Sequence, residues 1–102
     1  MGQRKIDYIV NACRWFDKVN GNTYHSVRIT MAADGAVIVG QFQYGYGDQY
    51  RWTATKAMLD AGWLPKKYNE DNYSYFEREN DYPILWNLSD GLKRDCVKNG
   101  IK

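Results

Sequence analysis

The chain has 102 residues, of which 44% are hydrophobic and 25% charged, and a formal net charge of +2. That length supports one core and a single domain over 1–102. No run of about 18 apolar residues is present to span a membrane. So small a basic excess is far from that of a dedicated duplex-DNA binder, whose affinity comes largely from neutralising phosphates. The charge is also uneven. Residues 1–67 carry nine Lys/Arg against five acids, residues 68–81 one Arg against five acids, and residues 82–102 four against two. A basic body with an acidic insert follows.

The opening residues, Met1 to Tyr8, lack the apolar stretch of a secretory signal, which makes a cytoplasmic site the expectation. Cys13 and Cys96 stand 83 positions apart, outside any Cys-x-x-Cys or Cys/His cluster, so free thiols and no metal site are expected.

Ile9 to Val19 and Asn22 to Met31 are rich in β-branched and aromatic residues and read as strands, with Ala36 to Tyr44 as a third. Asn20-Gly21 and Asp34-Gly35 between them are strong hairpin signals, because both central residues of a type I′ turn need positive φ. With two-residue turns, Val19 faces Asn22 and Ala33 faces Ala36. Counting outward puts Val10, Ala12, Phe16, Val27, Ile29, Met31, Ile38, Phe42 and Tyr44 on an apolar face, with Arg14 and His25 at its margin. The opposite face collects Cys13, Trp15, Tyr24, Ser26, Arg28, Thr30, Val39, Gln41 and Gln43. Gly40 within the third strand marks a bulge or a close approach by another element.

Gly45-Tyr46-Gly47 frees the chain to turn, and Asp48 is placed to cap a helix at about 49–61 that ends at Gly62. Ala54, Ala57, Met58 and Ala61 give that helix a small-residue face able to sit close on the sheet. Residues 69–80 hint at one short helix. Tyr82 to Asn87 reads as a short edge strand, since Pro83 excludes a central position. Ser89 is a candidate cap for a last helix at about 90–98. The fold class expected is α+β: a three-stranded antiparallel meander, extendable by a short fourth strand, packed by one helix at 49–61 and carrying a second at 90–98.

His25 is the single histidine, and no Ser, Cys or acid is tied to it by a catalytic spacing, so a hydrogen-bonded rim position and no catalytic residue are expected. The acids between Glu70 and Asp81 do not follow the alternate-position oxygens of a calcium loop. Neither metal nor cofactor is called for. A ligand site is better read from aromatics and cations. Trp15, Tyr24 and Arg28 lie on the polar sheet face, and Tyr46, Gly47, Tyr50 and Arg51 at the strand-to-helix corner. Rings of this kind stack on a nucleobase, while guanidinium and the amides near Gly47 hold phosphate. The competing reading has the C-terminal segment cover this face, with Trp86 and Phe76 packed on it.

Two resemblances add expectations. Gly21…His25-x-x-x-Ile29-Thr30…Asp34-Gly35…Gly45-x-Gly47, followed by an alanine-containing helix, is similar to double-stranded-RNA-binding domains over residues 21–64. That family holds phosphates with a lysine pair where this chain has Gln49, Tyr50 and Arg51. Asn20-Gly21-Asn22-Thr23-Tyr24-His25-Ser26-Val27, Tyr44-Gly45-Tyr46-Gly47-Asp48-Gln49-Tyr50 and Trp86-Asn87-Leu88-Ser89-Asp90-Gly91-Leu92-Lys93-Arg94-Asp95-Cys96 resemble small proteins of tailed bacteriophages and prophages. This second resemblance implies a non-catalytic viral accessory protein that antagonises host defence, by binding a defence protein or by sequestering a nucleotide signal. Two alternatives stand beside it. One is a nucleic-acid-binding module; the other presents the acidic Glu70 to Asp81 segment to a host nucleoprotein. A homo-oligomer built through an edge strand or Trp63 is left open.

Overall fold

The computed structural model describes residues 5–99. In chain order the elements are β1 (Tyr8–Asp17), β2 (Asn22–Met31), β3 (Val37–Tyr44), α1 (Gln49–Asp60), a single 3-10 turn (Glu70–Asn72), α2 (Ser74–Glu79), β4 (Ile84–Asp90) and α3 (Lys93–Lys98). The sheet order is β3-β2-β1-β4, antiparallel through the first three strands and parallel between β1 and β4. The α+β class and the meander are therefore as expected, and the fourth strand completes a mixed sheet. None of the helices among the described residues is long and apolar enough to cross a membrane.

Both hairpins close with wider loops than two residues. The last pair of the first is Asp17 with Asn22, because the Asp17 carboxylate gathers the backbone N–H groups of Val19 (3.0 Å) and Asn20 (3.3 Å) and the Asn20 amide (2.8 Å). In the second, Met31 N–H donates to Ala36 O and Gly35 N–H to Met31 O, both at 2.8 Å, while Asp34 accepts from Ala36 N–H at 2.9 Å. Each pairing is thereby slid by two residues from the two-residue register. A slide of two keeps every side chain on its face, since the pleat repeats every two residues. Val10, Ala12, Val27 and Ile29 accordingly form the floor of the core, all nearly or fully sealed from solvent.

The expected facing fails in the second half of β3. Val27 pairs with Gly40 but His25 pairs with Gln43, so β3 uses three steps where β2 uses two. One inserted residue of this kind is a β-bulge, and it inverts the facing of everything beyond it. Phe42 and Tyr44, expected on the apolar face, emerge on the opposite one beside Tyr24. Phe16 does keep the α1 side by register but is 55% exposed near the end of β1.

On the core side, α1 lays Tyr50, Ala54 and Met58 on the floor, and Leu64, Tyr68, Phe76 and Ile84 close its rim. Fully burying side chains of this size contributes roughly 1.5–3 kcal/mol each. Asp48 stands at the start of α1 without giving it a side-chain cap bond, whereas Gly62, at φ +76°, ends it as expected. Ser89 belongs to β4, and α3 starts three residues later than the Asp90 expectation, at Lys93 after Leu92. The parallel ladder with β1 explains the difference: it carries the chain in strand form as far as Asp90 opposite Arg14.

The other sheet face is covered in part by α3, and what fastens α3 is a Cys13–Cys96 disulfide with the two Cα atoms 5.0 Å apart. The expectation of free thiols is corrected here. Cys13 lies in the middle of β1 and Cys96 on a helix whose placement depends on strand order, so a separation of 83 residues gave no sign of their meeting. Ser26 Oγ donates to Cys96 O, and Asn99 Nδ2 donates to Asn11 O at 2.9 Å, adding two hydrogen bonds to the tether.

Candidate aromatic and cationic site

The inversion at the β3 bulge brings together a row of rings that linear counting divides. Trp15 on β1, Tyr24 on β2 and Phe42 on β3 lie side by side across the strands. Trp15 and Tyr24 are 5.8 Å apart between centroids; Tyr24 and Phe42 are 5.4 Å apart and nearly parallel, at 13°. Tyr44 meets the Tyr24 ring edge-on at 5.8 Å. Neighbouring strands put directly opposed side chains close enough for such ladders, and offset or edge-on ring pairs are the preferred arrangements. The three rings of the row are only half-buried and Tyr44 is exposed. Lys93, on α3, holds its ammonium 5.4 Å from the Trp15 ring centre. The result is a partly open aromatic surface with a cation at one end.

Arg28 shares this face, directly opposite Val39. Next to it, between β3 and α3, runs a groove of about 530 Å³ lined by Val39, Gln41, Phe42, Val97 and Lys98. A second groove, of about 570 Å³, opens at the far end of the face among Arg14, Trp15, Lys18, Asp90 and Asp95. Arg14 is held there by Asp90 at 3.3 Å and reaches Gly47 O at 3.4 Å.

The corner residues form a different group on the core side. Tyr50 is buried in the core, edge-on to Trp86 at 5.9 Å. The Arg51 guanidinium lies 4.7 Å from the Trp86 ring centre and 3.7 Å from Glu77, whose carboxylate also accepts from Trp86 Nε1. Arg51 is thus stacked and paired within the fold. Tyr46 is 72% exposed, and Gly47 takes φ +60° at the turn into α1. Of the seven expected site residues, Trp15, Tyr24 and Arg28 share one face, Tyr50 and Arg51 the other, and Tyr46 and Gly47 stand between them at the edge. Trp86 and Phe76 pack on the core side as well, so they do not cover the aromatic row. Counting alone missed Phe42 and Lys93; Gly40, flagged as a bulge signal, was the clue to Phe42.

His25 is buried completely rather than placed at a rim. Gly45 O, which can only accept, faces Nδ1 at 3.1 Å, so Nδ1 carries the proton and Nε2 accepts from Thr53 Oγ1 at 2.6 Å. Burial holds its pKa below the ordinary value of 6.5, with the Gly45 bond working in the opposite direction. The fold therefore prefers neutral imidazole, and the unfolded chain binds the extra proton first as pH falls. Stability is expected in full above about pH 6.5 and lost progressively below it. Melting temperatures between pH 7.5 and pH 5 check this, and a flat profile over that range would contradict it. Among the described residues there is no group of three or more His, Cys, Asp or Glu side chains able to hold a metal ion. The chain matches no family model, no curated protein and no solved structure.

Proposed function

We propose that the chain is a non-catalytic phage-type accessory protein that antagonises host defence by sequestering a nucleotide signal, whose base stacks on the Trp15, Tyr24 and Phe42 row. The observation that carries this reading is the row itself: three half-exposed rings on one sheet surface with a cation at its end. Base–aromatic stacking contributes about 1–3 kcal/mol per base and needs no particular base edge. The row favours the nucleotide form of the expectation over capture of a defence protein. Among the acids of the 70–81 segment, Asp71, Glu77 and Glu79 bond to Trp52, Trp86 and Tyr68 within the fold, which weakens the acidic-surface alternative.

A panel of nucleosides and of mono-, di- and cyclic nucleotides tests the reading by thermal shift. A ligand at 100 times its Kd raises stability by about 2.7 kcal/mol. Tyr24→Ala is expected to weaken that ligand by roughly 1–3 kcal/mol. No shift with any member of the panel would overturn the reading. The nucleic-acid module is a second reading, favoured by Lys93 over Trp15 and Lys98 beside Phe42. It predicts affinity for oligonucleotides that falls steeply with salt. A cytoplasmic setting remains part of the proposal. The panel is therefore run both oxidised and reduced, since the cytosol keeps most thiols reduced.

A further inference from the structure

Arg28 carries a donor that the fold does not use. Its Nε is shut off from solvent and has no hydrogen-bond partner. No carboxylate among the described residues pairs with its guanidinium. Of the polar groups near it in register, Ser26 Oγ donates to Cys96 O, and Asn11 accepts from Asn87 through its side chain and from Asn99 through its carbonyl. A partly desolvated cation with an idle buried donor is costly, and an anion held by the terminal nitrogens of the guanidinium would offset part of that cost. A guanidinium suits an anion with two such oxygens, which it holds in a forked, bidentate pair.

The surroundings say where that anion would lie. Val39, directly opposite Arg28 on the neighbouring strand, is also a wall of the β3–α3 groove, so Arg28 stands beside that wall in register. Lys98 lines the same groove and adds a second positive charge, while Asp17, two positions along β1 from Trp15, and Asp90 and Asp95 of the second groove lie toward the other end. Phe42 belongs to both the groove and the aromatic row. A ligand with a ring on the row and an anionic group in the groove would meet both features at once.

We propose that Arg28 and Lys98 form an anion subsite at the β3–α3 groove that takes the phosphate of a nucleotide whose base stacks on Tyr24 and Phe42. This rests on the base-stacking reading and names the part of the ligand that reading leaves open. The aromatic row gives affinity for any flat base, and the subsite makes the protein choose nucleotides over nucleosides.

Calorimetric titration of the oxidised protein with the four ribonucleosides and their 5′-monophosphates, at matched ionic strength, tests this. The monophosphate is expected to bind about tenfold tighter than its nucleoside, or more. Arg28→Gln and Lys98→Gln are each expected to narrow that gap while leaving nucleoside affinity unchanged. Melting curves check that both variants fold, and Lys98, exposed on the last turn of α3, keeps the test usable if Arg28→Gln does not. If nucleosides bind and monophosphates bind no tighter, the subsite is overturned and the stacking reading stands. If the gap survives both substitutions, the phosphate sits elsewhere and the subsite is overturned. If neither class binds, the stacking reading falls and the subsite with it.

Discussion

Reduction of the Cys13–Cys96 bond, or replacement of both cysteines by serine, is expected to lower the melting temperature by roughly 10–25 °C. The bond joins residues 83 positions apart, and the loop-closure model assigns about 4–5 kcal/mol to a ring of that size, with measured values more often about 2–4 kcal/mol. Little else holds α3 in place. It is six residues long, has no side-chain cap at its start, and buries only Cys96. Isolated helices shorter than about 12 residues are marginal in water, so α3 exists because it is tied down. Two hydrogen bonds, from Ser26 to Cys96 O and from Asn99 to Asn11 O, are too few to replace the tether. Circular-dichroism melts with and without a dithiol reductant measure the effect. Coincident curves would mean that α3 is held by its other contacts, or that the two sulfurs are not joined.

Gly40→Ala is expected to destabilise the fold by about 1–3 kcal/mol, a large effect for one added methyl group. A Cβ on Gly40 would come within 2.6 Å of both Thr53 Cγ2 and Val27 Cγ2. Both neighbours are buried and β-branched, so neither can swing aside by a simple rotamer change. The helix would have to lift off the sheet at the place where the bulge begins. Urea denaturation of the variant measures the loss. Wild-type stability would show that α1 does not approach β3 at this point.

The apolar floor was legible in the sequence because its parity survives errors of register: Val10, Ala12, Val27 and Ile29 face inward for any pairing slid by two. Helix α1 was legible for a similar reason, with an alanine and methionine stripe between glycine-rich ends. The facing of Phe42 was not, since a single inserted residue reverses it and Gly40 signals either a bulge or a close approach without saying which. Here it marks both. The disulfide was illegible because the parallel return of β4 beside β1, which brings α3 over Cys13, depends on strand order rather than on local pattern. The site was half legible. Trp15, Tyr24 and Arg28 were assigned to one face, but joining them to Tyr50 and Arg51 ignored the sheet between them, because the corner's position relative to the two faces is set by α1 packing.

The proposed site stands on the row across β1, β2 and β3 being the surface that meets a flat ligand. Titrating the isotope-labelled protein with a ribonucleoside monophosphate, and following its aromatic ring signals by NMR, tests that most directly. The expected result is graded shifts of Trp15, Tyr24 and Phe42 with Trp86 and Tyr50 still. Shifts confined to Trp86 and Tyr50, or a spectrum unmoved at saturating ligand, would contradict it.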